Sequence, residues 1–133
     1  MRPTLIALLA VSLFALGCSD SGQSTITVKL SEFKIELSSS VAKTGDVVFN
    51  VQNTGVLLHE LALLKTDLAP DKLPVLPDGS VDEDKLELMD EIEDIEPTKS
   101  PTMTVNLKPG NYVLICNVAG HHAAKMYIGL TVR

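Results

Sequence analysis

Cysteine is scarce in this chain: of 133 residues only Cys18 and Cys116 carry a thiol, which excludes a disulfide-rich scaffold. Cationic side chains are also in the minority, with 11 Lys and Arg against 17 Asp and Glu for a formal net charge of -6. That balance disfavours nucleic acid as a partner, because such binding rests on neutralising phosphates. No internal repeat, low-complexity segment, or Met-rich or His-rich tract is present. A Cys-His hydrolase would need a third orienting group and an oxyanion hole, and neither has a signature here. What remains is a length that suits one small domain and an apolar fraction of 45%, ample for a core.

Part of that apolarity belongs to the N-terminus. Met1-Arg2 followed by the apolar run Leu5 to Gly17 has the charged start and short hydrophobic stretch of a secretory signal, too short for a permanent membrane span. Its end, Ala15-Leu16-Gly17-Cys18, resembles a bacterial lipobox. The resemblance implies that residues 1–18 are a signal ending at Cys18, which becomes the lipid-modified first residue of an exported, membrane-anchored lipoprotein of the cell envelope, in the periplasm or on the outer face of the cell membrane. Residues 19–24, Ser-Asp-Ser-Gly-Gln-Ser, read as a flexible linker, and residues 25–133 as the folded domain. Cys116 then has no disulfide partner, which leaves intermolecular pairing, a reactive thiol or a metal ligand.

Period-two alternation runs through the domain. Ile26, Val28 and Leu30, then Phe33, Ile35 and Leu37, then Val47, Phe49 and Val51, alternate with polar residues as half-buried strands do. Leu57 to Leu64 is apolar on both parities and predicts a central strand covered on both faces, with Glu60 pointing away from His59. Met103, Val105 and Leu107 alternate again, Lys108-Pro109-Gly110-Asn111 is a turn, and Tyr112 to Cys116 and Met126 to Val132 are the last two strands. Between them Ser80-Val81-Asp82-Glu83 matches a capping box, and Val81, Leu88, Ile92 and Ile95 recur at helical spacing. That pattern predicts an acidic amphipathic helix ending before Pro97, with Met89 on its apolar stripe. Its charged face could also steer the chain toward a basic partner. The fold class expected is an all-β sandwich or barrel with one acidic amphipathic helical insertion.

The chemistry concentrates in Cys116-Asn-Val-Ala-Gly-His121-His122-Ala-Ala-Lys-Met126, where C-x4-H-x4-M joins two strands. A thiolate, an imidazole and a thioether offered together, with a second imidazole, make the ligand set of a blue-copper site. His59 is the candidate for the second imidazole, although an isolated His on an apolar strand face is more often a core residue. His122 is the other candidate in the loop. Zinc held by His59, Cys116 and His121 with water is a competing reading, against which Met126 argues.

Three segments carry a wider resemblance: Asn53-Thr-Gly-Val-Leu-Leu-His59-Glu-Leu61, Leu107-Lys-Pro-Gly-Asn-Tyr112, and Cys116 through Met126. Across residues 25–133 the chain resembles the cupredoxins of the plastocyanin and azurin type, with a loop spacing similar to rusticyanin and sulfocyanin. The resemblance implies a Greek-key β-sandwich, usually of eight strands, holding one type 1 copper through His59, Cys116, His121 and Met126. It places His122 at a variable, solvent-facing position. It also implies a monomeric one-electron carrier rather than an enzyme, with redox proteins as partners and no small-molecule substrate. Docking would use an apolar surface at Val56, Leu57, Ala119, Ala123 and Ala124. A copper delivery or storage protein would use the same ligands. Two positions depart from the family pattern: Ala119 stands where Pro is common, and Lys125 where Gly is common.

Overall fold

The computed structural model describes residues 22–133. The signal, Cys18 and residues 19–21 of the linker lie outside the described residues. Nine strands form among the described residues: β1 (Ser24–Ser31), β2 (Lys34–Leu37), β3 (Val41–Ala42), β4 (Gly45–Asn53), β5 (His59–Lys65), β6 (Glu87–Ile95), β7 (Thr102–Leu107), β8 (Gly110–Ile115) and β9 (Tyr127–Val132). They make two sheets, ordered β2-β1-β4-β7 and β3-β9-β8-β5-β6. The chain therefore crosses between sheets at β2–β3, β3–β4, β4–β5, β6–β7 and β7–β8. β1 pairs in parallel with β4, and β3 with β9, while the remaining ladders are antiparallel.

The alternation read from the sequence sets the inner faces. Ile26, Val28 and Leu30 of β1, Val47, Phe49 and Val51 of β4, and Met103, Val105 and Leu107 of β7 point into one core, where they meet Leu61, Leu63, Tyr112, Leu114, Leu130 and Val132 of the other sheet. Cys116 and Met126 belong to that same buried cluster. β5 is buried on both faces, as the double-parity run predicted, although it begins at His59 and leaves Leu57 and Leu58 exposed; β8 is buried on both faces too. Their outer side chains, Ala62, Leu64, Val113 and Ile115, form a second cluster with Leu73 and Val81.

The segment covering that second cluster is irregular, with 3-10 turns at Pro70–Lys72 and Glu83–Lys85, and the expected amphipathic helix is absent from it. Ser80 bonds to Asp78 through both its amide and its hydroxyl, so no capping box forms with Glu83. Residues 87–95 are instead the edge strand β6, paired along β5. The helical spacing has a specific origin. The register shifts between His59/Leu61 and Leu63/Leu64 each place an extra residue in β6. One such shift lets Ile92 and Ile95, three apart, oppose Leu61 and His59, two apart on the same strand face.

Energetics favours the strand. Helix propensity separates ordinary residues by at most ~0.7 kcal/mol each. Fully burying an aliphatic side chain such as Ile95 contributes ~1.5–3 kcal/mol, and the strand also gives the open edge of β5 its hydrogen bonds. The acidic side chains then line an exposed sheet edge, where charge discourages edge-to-edge association.

Candidate metal centre

Two loops at one end of the sandwich carry the ligand candidates. The first runs from Asn53 to His59. Asn53 is buried, its Oδ1 accepts from the Gly55 amide at 2.9 Å, and its Nδ2 donates to the carbonyls of Leu57 and Ile95, each at 2.8 Å. The Glu32 carboxylate accepts from the amides of Val56 at 2.7 Å and Leu57 at 3.0 Å, bonds that hold its carboxyl below the usual range. His59 thus enters β5 from a loop fastened on both sides.

The second loop joins β8 to β9. Cys116 extends the ladder by one rung, donating its amide to Met126 O at 3.0 Å. Between them the chain closes tight turns, with bonds from His121 N to Val118 O at 2.9 Å and from Met126 N to His121 O at 3.1 Å. Two residues adopt left-handed backbone: Gly120 at φ +79° and Lys125 at φ +70°. Lys125 therefore keeps the geometry a glycine would take without strain.

Three donors converge. His121 Nδ1 lies 3.2 Å and His59 Nδ1 3.7 Å from Cys116 Sγ, and the donor atoms all fall within 4.8 Å of one another. Cys116, His59 and Met126 are fully buried and His121 is 8% exposed. The Glu60 amide donates to Sγ at 3.3 Å. Burial pushes the Cys116 thiol up, against backbone donors at Glu60 and Val118 that favour the thiolate. Burial also pushes both histidines down; at His59 the His121 ring adds repulsion, and Glu32 opposes the shift at both. Neutral imidazoles are ligand-competent, and metal binding would displace the thiol proton. A buried thiol facing two imidazole nitrogens, with a buried thioether across the ladder, fits a soft metal: His59, Cys116, His121 and Met126 together are the donor set of a type 1 copper site.

The other candidates fall outside this cluster. His122 is buried rather than solvent-facing: its Nε2 lies 3.0 Å from Pro70 O and its ring packs 5.0 Å from that of Tyr127. Those contacts brace the loop against the Pro70 turn and the start of β9. Glu60 turns its carboxylate away from His59, toward Glu83 and Glu91. Val56, Leu57, Ala119, Ala123 and Ala124 are exposed, as expected of a surface around the site, and Phe33 and Leu58 join them.

Sequence reasoning missed three supports. Asn117 accepts from the Val81 amide at 2.6 Å and donates to Glu83 at 2.9 Å, tying the residue after Cys116 to the irregular segment. Glu32 and Phe33 reach the histidines from the β1–β2 turn. Only Asn53-Thr54-Gly55, readable as an Asx turn, signalled its role.

No protein-family model matches the chain, and no curated protein matches it in sequence. Solved structures do. Auracyanin from the photosynthetic bacterium Roseiflexus castenholzii shares 22% identity at a TM-score of 0.62, covering 84% of this chain and 99% of its own. Auracyanin A, a "blue" copper protein from Chloroflexus aurantiacus, shares 19% at 0.58, covering 84% and 100%. Rusticyanin from Thiobacillus ferrooxidans shares 17% at 0.54, covering 84% and 79%. These likenesses establish the fold as a cupredoxin-like two-sheet sandwich.

Proposed function

We propose that this chain is a type 1 copper protein that carries single electrons in the cell envelope, with His59, Cys116, His121 and Met126 as its ligands. The observation that carries the reading is the enclosed convergence of two imidazoles on the Cys116 thiol, with donor atoms within 4.8 Å. Copper bound there would supply a Cu(II)/Cu(I) couple, for which imidazole serves both states and the sulfur donors favour Cu(I). The Glu60 amide is already aimed at the sulfur, and both donor loops are pinned by buried or short hydrogen bonds. Little rearrangement is then needed between oxidation states. Burial of all four side chains supports a carrier over copper delivery, since hand-off needs an open route to the metal. The reading assigns no small-molecule substrate and no catalytic residue.

The partner is a redox protein that covers the exposed apolar rim of the two donor loops, Val56, Leu57, Ala119, Ala123 and Ala124. The acidic β6 edge adds steering toward a basic partner. Cys18 is the lipid anchor in this reading, and residues 19–24 give the monomeric domain its reach from the membrane. Cys18→Ala should release the chain to the soluble exported fraction or leave the signal uncut; unchanged membrane attachment would contradict the anchor.

Met126 separates carrier from donor. In Met126→Leu the two imidazoles and the thiolate remain, so copper should be retained and the potential raised, because the thioether and the apolar surroundings of the site would tune it. Loss of copper from this variant, together with ready transfer of Cu(I) from the wild type to a chelator, would contradict the carrier reading and install copper delivery.

A further inference from the structure

We infer that the two-residue turn Glu32–Phe33 is a clasp that positions both histidines of the metal centre, Glu32 acting on His59 and Phe33 on His121. The inference rests on the copper reading for its effect on potential, but not for the contacts themselves. The turn closes the β1–β2 hairpin, whose last pair is Ser31↔Lys34, and its two side chains leave the hairpin in the direction of the site.

Glu32 does two things. It accepts both loop amides that precede His59, from Val56 and Leu57. The loop approaches so closely that a Cβ on Gly55 would meet the Glu32 carboxylate, so a larger residue there would push that side chain off the two amides. The same oxygen, Oε1, lies 3.8 Å from His59 Nε2. That ring nitrogen is fully buried and has no hydrogen-bond partner. Ligation through Nδ1 leaves the proton on Nε2, and a ligating imidazole normally presents this N–H to a carboxylate, carbonyl or water. At 3.8 Å the contact is electrostatic rather than a hydrogen bond. A fixed negative charge on that side favours the more highly charged metal state.

Phe33 sets its ring edge against His121, with centroids 5.4 Å apart and planes at 82°. It does so from φ +59°, backbone that a bulky side chain adopts only when its surroundings hold it there. The ring is still 49% exposed, so it spends that strained conformation on covering His121 rather than on entering the core.

The test uses the full chain in metal-free and copper-loaded forms. In the metal-free protein, NMR should show Glu32→Ala shifting the Val56 and Leu57 amides and speeding their exchange, with Glu32→Gln restoring them because its carbonyl still accepts. Phe33→Ala should shift the His121 ring protons and leave those of His122 in place. In the copper-loaded protein, Glu32→Gln should shift the Cu(II)/Cu(I) affinity ratio about tenfold toward Cu(I), which for one electron raises the potential by about 59 mV. Phe33→Ala should speed copper removal by a chelator several-fold. Metal-free spectra unchanged in Glu32→Ala and Phe33→Ala would overturn the clasp whether or not the protein binds copper. An unaltered potential in a copper-loaded Glu32→Gln would overturn the role of its charge. If the wild type forms no copper centre, the metal-free spectra alone decide the clasp, and the copper reading fails separately.

Discussion

Glu60 is where residue chemistry and folding are coupled most visibly. Its carboxylate, half-buried with Glu83 and Glu91, is pushed up to about 7 by desolvation first and by those neighbours, Glu93 and Asp94 after it. The unfolded chain releases this proton near the ordinary value of 4.5, whereas the native state keeps it until about 7. The native state then binds more protons across that window, so this group's contribution to stability falls as pH rises through it and is fully lost above it. Glu60→Gln keeps the shape without the charge. Compared with wild type by urea unfolding of the metal-free protein, it should be near neutral at pH 4.5 and more stable by about 1–2 kcal/mol at pH 8, after allowing for solvent screening. Taking the difference between the two proteins removes the opposite contribution of His59 and His121, whose depressed values cost stability as pH falls. Parallel pH curves would contradict the account. His122 is a different lesson at this scale: two adjacent histidines look interchangeable in sequence, yet the turn sends one to the metal donors and the other to Pro70 O.

At the scale of elements, the site depends on loops held by buried amides. Asn53 alone satisfies three backbone groups, joining the His59 loop to the end of β6. Asn53→Ala leaves those groups unpaired, and a buried unsatisfied group costs about 1–3 kcal/mol. The variant should lose about 2–3 kcal/mol in denaturant unfolding and bind Cu(II) more weakly; an effect below about 0.5 kcal/mol would show that water replaces the amide. Strands β1, β4, β7 and β9 were legible because one face is solvated, which stamps period two on the residues. β5 was legible as doubly buried. β6 was not: its two bulges move apolar residues to a spacing of three, which a period count reads as helix. The ligand loop was legible because its chemistry is local, whereas Glu32 and Phe33 act across a distance in sequence that only the fold closes.

For the whole molecule, the core does not depend on metal. Of the four donor residues only Cys116 and Met126 belong to the main cluster, whose other members are side chains outside the donor set, so the metal-free domain should fold and the site should exist before loading. The net charge of -6 gathers partly on the exposed β6 edge, where it favours solubility and discourages edge-to-edge pairing. The central claim is that the Cys116 thiolate and two imidazoles hold one copper in a closed site. The measurement that reaches it most directly is the visible and EPR spectrum of the Cu(II)-loaded domain, recorded for wild type and for Cys116→Ser. The account predicts an intense thiolate-to-copper band in the wild type, lost in Cys116→Ser although that variant remains folded. A wild type that binds Cu(II) without the band, or a Cys116→Ser protein that keeps it, would contradict the account.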